Sequence, residues 1–120
     1  MFDTEVKMEN LAAGKCVACR KGEPMLTDAE IEDLLPQVPQ WQVREVDGMK
    51  RLERTFKFKN FTQALEFTNK VGAIAEEEDH HPRIVTEWGR VNLQWWTHVI
   101  GGLHKNDFIM AAKSDELASS

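Results

Sequence analysis

The run His80-His81-Pro82, together with His98, carries the residue types of this chain that could do chemistry. The chain has four histidines, and three of them fall in this arrangement. An unperturbed imidazole has a pKa of about 6.5, so it can give and take protons near neutral pH. Two adjacent imidazoles with a third nearby predict a proton-transfer site, a metal site, or a chance cluster at a helix end, where the helix dipole favours an imidazolium.

Two acidic residues near the histidines are candidates for assisting them. Glu76 precedes His80 by four positions, the spacing that brings two side chains together on a helix, and a carboxylate there would help His80 act as a general acid. Asp107 could orient a histidine or cap a helix. The remaining acidic residues before the histidines, 77–79, are predicted to form a solvated face.

A metal site is the main chemical alternative. Cys16 and Cys19 form one CxxC, but the sequence has neither a second CxxC nor an H-E-x-x-H pair. Adjacent histidines also rarely aim at one ion. We therefore predict no resident metal and expect the cysteines to be reduced thiols, while a weak or intermolecular metal site at the CxxC stays open.

The elements that must position these residues can be read from pattern and turn chemistry. Residues 1–26 are predicted to be a weakly structured leader, and residues 27–120 a single domain. Thr27 and Glu30 form a capping box that opens a short helix. A hairpin follows, with strands over 41–46 and 49–58 around the turn signal Asp47-Gly48.

The second half of the domain repeats this order. Asn60 is predicted to cap the main core helix, which runs to about Asp79 and ends near His80 because of Pro82. A second hairpin is predicted over 84–98 with its turn at Gly89-Arg90, and a last helix from about residue 106. The order predicts an α+β fold, with helices on one face of a four-stranded antiparallel sheet.

The predicted strand that ends at His98 presents two faces. Val91, Leu93 and Trp95 are expected to pack under the helices. Trp96 and His98 lie on the other face, so Trp96 is either a pocket wall or interface surface.

Composition limits the class of protein. At 120 residues the chain suits one domain, and its hydrophobic fraction of 42% is sufficient for a core. A net charge of −5 argues against nucleic-acid binding. No apolar run approaches the ~20 residues of a membrane helix, and the N-terminal residues do not read as a secretory signal. A cytoplasmic location is the resulting expectation.

The histidine motif resembles that of the pterin-4a-carbinolamine dehydratases. The matching residues, at the family's spacings, are Glu76, His80-His81-Pro82, Trp88, His98 and Asp107. The resemblance covers about Thr27 to Leu117, and the Cys16–Cys19 leader is similar to those of bacterial members. Several positions matched at fixed spacing make this far more specific than a lone histidine pair.

The resemblance implies a reaction and a fold. The reaction is loss of water from 4a-hydroxytetrahydropterin to give quinonoid dihydropterin, without a cofactor. Its product is recycled for aromatic amino-acid hydroxylases such as phenylalanine hydroxylase, which is an expected partner. The fold implied is the sheet and helices described above, assembled as a homodimer or homotetramer. Because animal members resemble a dimerisation cofactor of a transcription factor, a regulatory binding role is the alternative.

The same resemblance suggests roles for individual residues. Our hypothesis is that His80, His81 and His98 are the catalytic residues. His80 and His98 form the acid/base pair, and His81 chiefly binds the pterin. Glu76 is expected to tune His80 and to take part in substrate binding. The backbone around Trp96-Thr97-His98 is expected to match the donors and acceptors on the pterin edge. Pro82, Trp88 and Asp107 are assigned supporting roles.

Overall fold

The computed structural model describes residues 10–18 and 20–119, which form three α-helices and one four-stranded sheet. The helices are α1 (Asp28–Leu34), α2 (Phe61–Glu78) and α3 (Lys105–Ser119), and the strands are β1 (Gln42–Val46), β2 (Met49–Lys57), β3 (Arg83–Glu87) and β4 (Arg90–Trp95). All neighbouring strands are antiparallel, in the order β1-β2-β4-β3. The predicted α+β class is confirmed. None of the described helices is long and apolar enough to cross a membrane.

Local sequence signals account for where the first two helices begin. Thr27 and Glu30 form the predicted capping box, with each side chain accepting from the other residue's backbone N–H at 3.2 and 2.8 Å. Asn60 caps α2 by accepting from the Gln63 N–H at 2.8 Å. These bonds satisfy N–H groups that have no partner within a helix.

The two hairpin turns differ in how well the sequence predicted them. Asp47 and Gly48 both have positive φ, 53° and 78°, as the predicted turn requires. The second turn is Trp88-Gly89, whereas the prediction of Gly89-Arg90 was wrong by one residue. Arg90 already pairs with Glu87 across the β3–β4 ladder, and Gly89 takes the left-handed position.

The helices cover one face of the sheet, as predicted. The inward side chains Val91, Leu93 and Trp95 are fully buried. Arg54 also lies on this face and interrupts its apolar pattern. Its guanidinium donates to Asp115 of α3 at 2.6 Å, and the same carboxylate accepts from the Trp41 indole N–H at 2.9 Å. The charged pair therefore ties α3 to the sheet at its partly exposed edge.

The end of α2 is set by Asp79 rather than by Pro82. Asp79 has the left-handed conformation, with φ 52°. The His80 N–H donates to the Ala75 carbonyl at 3.0 Å and the Asp79 N–H donates to the Glu76 carbonyl at 3.3 Å. This pair of bonds is a Schellman motif, which turns the chain off the helix axis. The helix ends at Glu78, one residue before the predicted end at about Asp79, and the left-handed Asp79 rather than Pro82 causes this end.

The described part of the N-terminal leader packs onto the domain. Leu11 opens a 3₁₀ turn, Leu11–Ala13, and is buried in the core beside α3. The Lys113 ammonium donates to the Ala12 carbonyl at 2.8 Å, and the Leu26 N–H donates to the Leu103 carbonyl at 2.9 Å. The expectation of a weakly structured leader is corrected for these residues, because Leu11 removes apolar surface from water only by docking here. The division at residue 27 stays a prediction.

Candidate active site

A cavity of about 670 Å³ brings the three motif histidines together. It lies where the end of α2, the segment after β4, the start of α3 and the leader meet. Its lining consists of Cys16, Val17, Ala18, Glu78, Asp79, His80, His81, Thr97, His98, Val99 and Asn106. The fourth histidine, His104, does not line it. The predicted convergence of His80, His81 and His98 is therefore present in the structure.

His80 is held from behind by a buried carboxylate. Its Nε2 lies 2.7 Å from Oδ1 of Asp107, which is fully buried. The His80 ring also stacks on Trp95 with 5.9 Å between centroids and 5° between planes. Since a carboxylate accepts, Nε2 is the nitrogen that carries the proton in the neutral ring. The nitrogen of this ring that has no bond to Asp107 is Nδ1.

The accessibility of His80 Nδ1 follows from the hydrogen-bond inventory. Among the described residues, the one buried side-chain nitrogen or oxygen without a partner is Nε of Arg51. His80 as a whole is only 9% exposed, and it lines the cavity. Nδ1 of His80 has no hydrogen bond to the protein within the described ranges and is not fully buried, and the residue that carries it lines the cavity.

Asp107 serves both of the functions considered for it. Its Oδ2 accepts from the Thr97 hydroxyl at 2.8 Å and from the His104 N–H at 2.9 Å, the latter at the start of α3. Oδ1 remains for His80. One carboxylate thus caps the helix and orients the histidine, and its burial is compensated by three hydrogen bonds.

Glu76 contacts His81 rather than His80. Its Oε2 lies 2.5 Å from Nε2 of His81, and both side chains are largely exposed. The predicted i,i+4 pairing with His80 was wrong, because the left-handed Asp79 ends the helix and turns His80 inward. Glu76 is absent from the cavity lining.

His98 lies beyond the end of its strand. β4 stops at Trp95, and His98 opens the 3₁₀ turn His98–Ile100, so the prediction that the strand runs to His98 was wrong. The His98 ring lies 4.4 Å from the Trp96 ring, whose centroid is 3.8 Å from Cζ of Arg51. Trp96 supports His98 from outside the cavity and does not line it.

The backbone of Thr97 is already engaged. Its N–H donates to the Gly102 carbonyl at 2.9 Å, and its carbonyl accepts from the Gly101 N–H at 3.0 Å. The expectation that the backbone around Trp96-Thr97-His98 matches the edge of a substrate stays a prediction. The Thr97 side chain donates to Asp107.

Two residues of the sequence motif lie away from the cavity. Trp88 sits at the tip of the second hairpin and is 72% exposed. Pro82 follows His81 but is absent from the lining. Trp88 belongs to the hairpin turn and Pro82 to the segment that leads into β3. Their match to the family spacing therefore does not reflect contact with the cavity.

Several lining residues had no sequence signal. The Glu78 carboxylate, predicted to be solvated, accepts from the Cys16 N–H at 2.8 Å, and Val17 pairs with Asn106. These partners are 62 and 89 positions apart, so no local pattern links them.

Cys19 lies outside the described residues. Within those residues, no three histidine, cysteine or acidic side chains are grouped to hold a metal ion.

Fold and cavity together define a small α+β protein with a cavity lined by three imidazoles. Comparison with known proteins narrows this class. The family described as pterin 4 alpha carbinolamine dehydratase matches residues 24–117. The chain belongs to this family, and its enzyme class is that of a hydro-lyase.

Curated relatives align with this chain over nearly their whole lengths. A protein of Syntrophotalea carbinolica and one of Nitrosococcus oceani, both provisionally named pterin-4-alpha-carbinolamine dehydratase, are each 57% identical over 110 residues. These alignments cover 92% of this chain and 98% and 97% of the relatives.

Solved structures show the same fold. A transcriptional coactivator/pterin dehydratase from Brucella melitensis matches with a TM-score of 0.72 and 35% identity, over 79% of this chain and 99% of that one. A pterin dehydratase-like RuBisCO assembly factor of the alpha-carboxysome matches with a TM-score of 0.58 and 26% identity, over 68% and 92%.

Proposed function

We propose that this dehydratase removes water from a pterin-4a-carbinolamine by acid/base catalysis from His80 and His98, with His81 holding the pterin. The main supporting observation is that three imidazoles line one cavity and that a buried carboxylate orients one of them. The cavity volume of about 670 Å³ is within the range of small-molecule sites.

The chemistry requires two proton transfers. The C4a–O bond breaks as a proton reaches the leaving hydroxyl, and a ring nitrogen loses a proton as the quinonoid double bond forms. Loss of water leaves the oxidation state of the substrate unchanged, so the step itself consumes no electrons. Imidazole suits both transfers, because each protonation state is populated near neutral pH.

His80 and His98 divide these transfers by position. His80 is nearly buried and offers Nδ1, while Asp107 takes the hydrogen bond of Nε2 and stabilises the imidazolium when it forms. His98 is exposed and lies on a separate segment, so it can exchange protons with water during turnover. His81 is half exposed at the cavity wall, which fits a binding role.

Single replacements of the two proposed catalytic histidines test this assignment. His80→Ala and His98→Ala should each lower the enzyme-dependent dehydration rate by about 10²–10⁴-fold, the usual contribution of one general acid or base. The rate is measured by stopped-flow absorbance of freshly generated carbinolamine, with the buffer rate subtracted.

The matched control for these variants is His104→Asn. His104 lies outside the cavity lining, and its Nδ1 accepts from the Asn106 N–H at 3.0 Å. An asparagine oxygen can accept this bond, so the variant should keep most of the activity. Folded His80→Ala and His98→Ala proteins that keep the wild-type rate would refute the assignment.

The physiological role we propose is recycling of a tetrahydropterin for an aromatic amino-acid hydroxylase such as phenylalanine hydroxylase. The support is chemical, since the quinonoid product must be reduced before such a hydroxylase can use it again. In a coupled assay limited by dehydration, wild-type protein should raise hydroxylation and His80→Ala should not.

A second candidate function is protein binding, with the chain acting as a homodimer or homotetramer. The observation that favours it is that two of the similar solved structures are named a transcriptional coactivator/pterin dehydratase and a RuBisCO assembly factor. A pull-down and a dehydration assay on one preparation separate the two functions. Capture of a hydroxylase by wild-type and His80→Ala protein alike would support binding independent of catalysis.

A further inference from the structure

The strap, defined as residues 14–18 of the leader, supplies part of the wall of the histidine cavity. Cys16, Val17 and Ala18 line the cavity together with the three histidines. The strap lies outside the family match, which begins at residue 24. The Brucella structure is matched over 99% of its own length but only 79% of this chain. The strap therefore lies outside the part of the chain that the family model describes, although the curated relatives align over it.

Side chains of two site elements anchor the strap. Asn106, which is 2% exposed, accepts from the Val17 N–H at 3.1 Å and donates to the Val17 carbonyl at 2.7 Å. This pair of hydrogen bonds resembles the one that two residues exchange across paired strands. Glu78 accepts from the Cys16 N–H at 2.8 Å. The strap is thus tied to both α2 and α3.

These anchors adjoin the residues that orient His80. Glu78 is the last residue of α2, two positions before His80, and Asn106 directly precedes Asp107. At the other end of the strap, a Cβ on Gly14 would lie 3.1 Å from the Leu11 carbonyl oxygen and 3.3 Å from the Ile109 side chain. Glycine therefore allows the strap to run close to α3. The position of the strap is fixed relative to His80.

We infer that the strap is a substrate-contacting wall that holds a flat, reduced pterin against the histidines. Val17 is exposed although its backbone is clamped, and it shares the lining with exposed Val99. Two aliphatic side chains at a polar cavity offer contacts to the faces of a bicyclic heterocycle or to its carbon substituent. The identity of the ligand rests on the proposed function, whereas the strap's role is binding rather than proton transfer.

The Cys16 thiol reports on this contact directly. A Cys19→Ser variant leaves Cys16 as the single thiol of the chain. Its alkylation by iodoacetamide is timed with and without 7,8-dihydrobiopterin, whose dissociation constant is first measured by calorimetry. At ten times that constant about a tenth of the sites stay free, so alkylation should slow about tenfold. An unchanged alkylation rate with bound pterin overturns the inference.

Val17→Glu tests the strap in turnover. The substitution places a charge at an exposed side chain, so the fold is preserved, and Leu65→Glu on α2 is the matched control outside the cavity. A substitution that weakens binding of the substrate and of the transition state equally raises KM and leaves kcat unchanged. Val17→Glu should raise KM about tenfold with kcat within about twofold, and Leu65→Glu should change neither. Unchanged KM, or a fall in kcat alone, contradicts a binding wall.

The outcomes separate this inference from the proposed function. Protection of Cys16 in a protein whose His80→Ala variant keeps full activity supports the strap and rejects the histidine assignment. Loss of activity in His80→Ala without protection of Cys16 supports the histidine assignment and rejects the inference about the strap. Absence of any pterin binding overturns both.

Discussion

Replacement of Asp107 by asparagine should reverse the tautomer of His80 while keeping the fold. An asparagine can sit in two orientations. If its oxygen faces His80, its NH₂ group meets the part-buried His104 N–H, which has no other acceptor in this network. If its NH₂ group faces His80, the oxygen still accepts from Thr97 and His104, and His80 must present a bare Nε2.

The second orientation is favoured, because the first leaves the His104 N–H donor without an acceptor. The cost of that unsatisfied donor is about 1–3 kcal/mol, which is a preference of about 5- to 150-fold. The neutral His80 ring then carries its proton on Nδ1, toward the cavity. It can neither accept there nor readily become an imidazolium, because an Nε2–H would face the NH₂ group. Dehydration should fall by about 10²–10⁴-fold.

The stability of the variant changes much less. Three hydrogen bonds to a carboxylate become neutral ones, a loss of about 1 kcal/mol each, while the cost of burying a charge disappears. We expect a net loss of about 1–3 kcal/mol in the free energy of unfolding. Urea titration measures this, and ¹⁵N NMR of the imidazole nitrogens identifies the tautomer.

Asp115→Asn is the matched control for Asp107→Asn. It removes a carboxylate from the same helix, where Asp115 binds Trp41 and Arg54 away from the cavity. It should cost stability and leave the dehydration rate unchanged. Folded Asp107→Asn with wild-type activity, or with the proton still on Nε2, would refute the reasoning.

Three further predictions follow from local contacts. Glu76→Gln should keep the dehydration rate within about fivefold of wild type, because an exposed ion pair contributes at most about 1 kcal/mol; a hundredfold fall would restore a role beside His80. Asp79→Gly should raise the melting temperature by about 3–5 °C, since glycine relieves the left-handed position at the end of α2; a lower value in calorimetry would contradict this. Thr27→Ala should lower the melting temperature by a similar amount through loss of about 1 kcal/mol from the capping box, and no change would mean that α1 is held by packing alone.

The elements of the fold were largely predictable because their signals are local. The capping residues Thr27 and Asn60 and the turn Asp47-Gly48 each act within four residues, and all three were confirmed. The errors concern conformations that several residues can adopt. Asp79, not Pro82, ends α2, and Trp88 rather than Arg90 enters the turn.

The sequence predicted which histidines line the cavity better than it predicted which side chains contact them. His80, His81 and His98 do line one cavity, but the partner of each acidic residue depended on the direction of a single turn. Asp79 rotates His80 toward Asp107 and leaves Glu76 to His81. A spacing rule for regular helices cannot describe the first residues after the helix ends.

The sequence by itself determined the α+β class, the caps at Thr27 and Asn60, the first hairpin turn, and the three histidines that line the cavity. These follow from side-chain type and short spacing, which act whatever the rest of the chain does. The tertiary structure alone decided that a carboxylate from α3 orients His80 and that the strap walls the cavity. Such contacts join residues far apart in the chain, and they are selected by burial and hydrogen-bond satisfaction in the packed core.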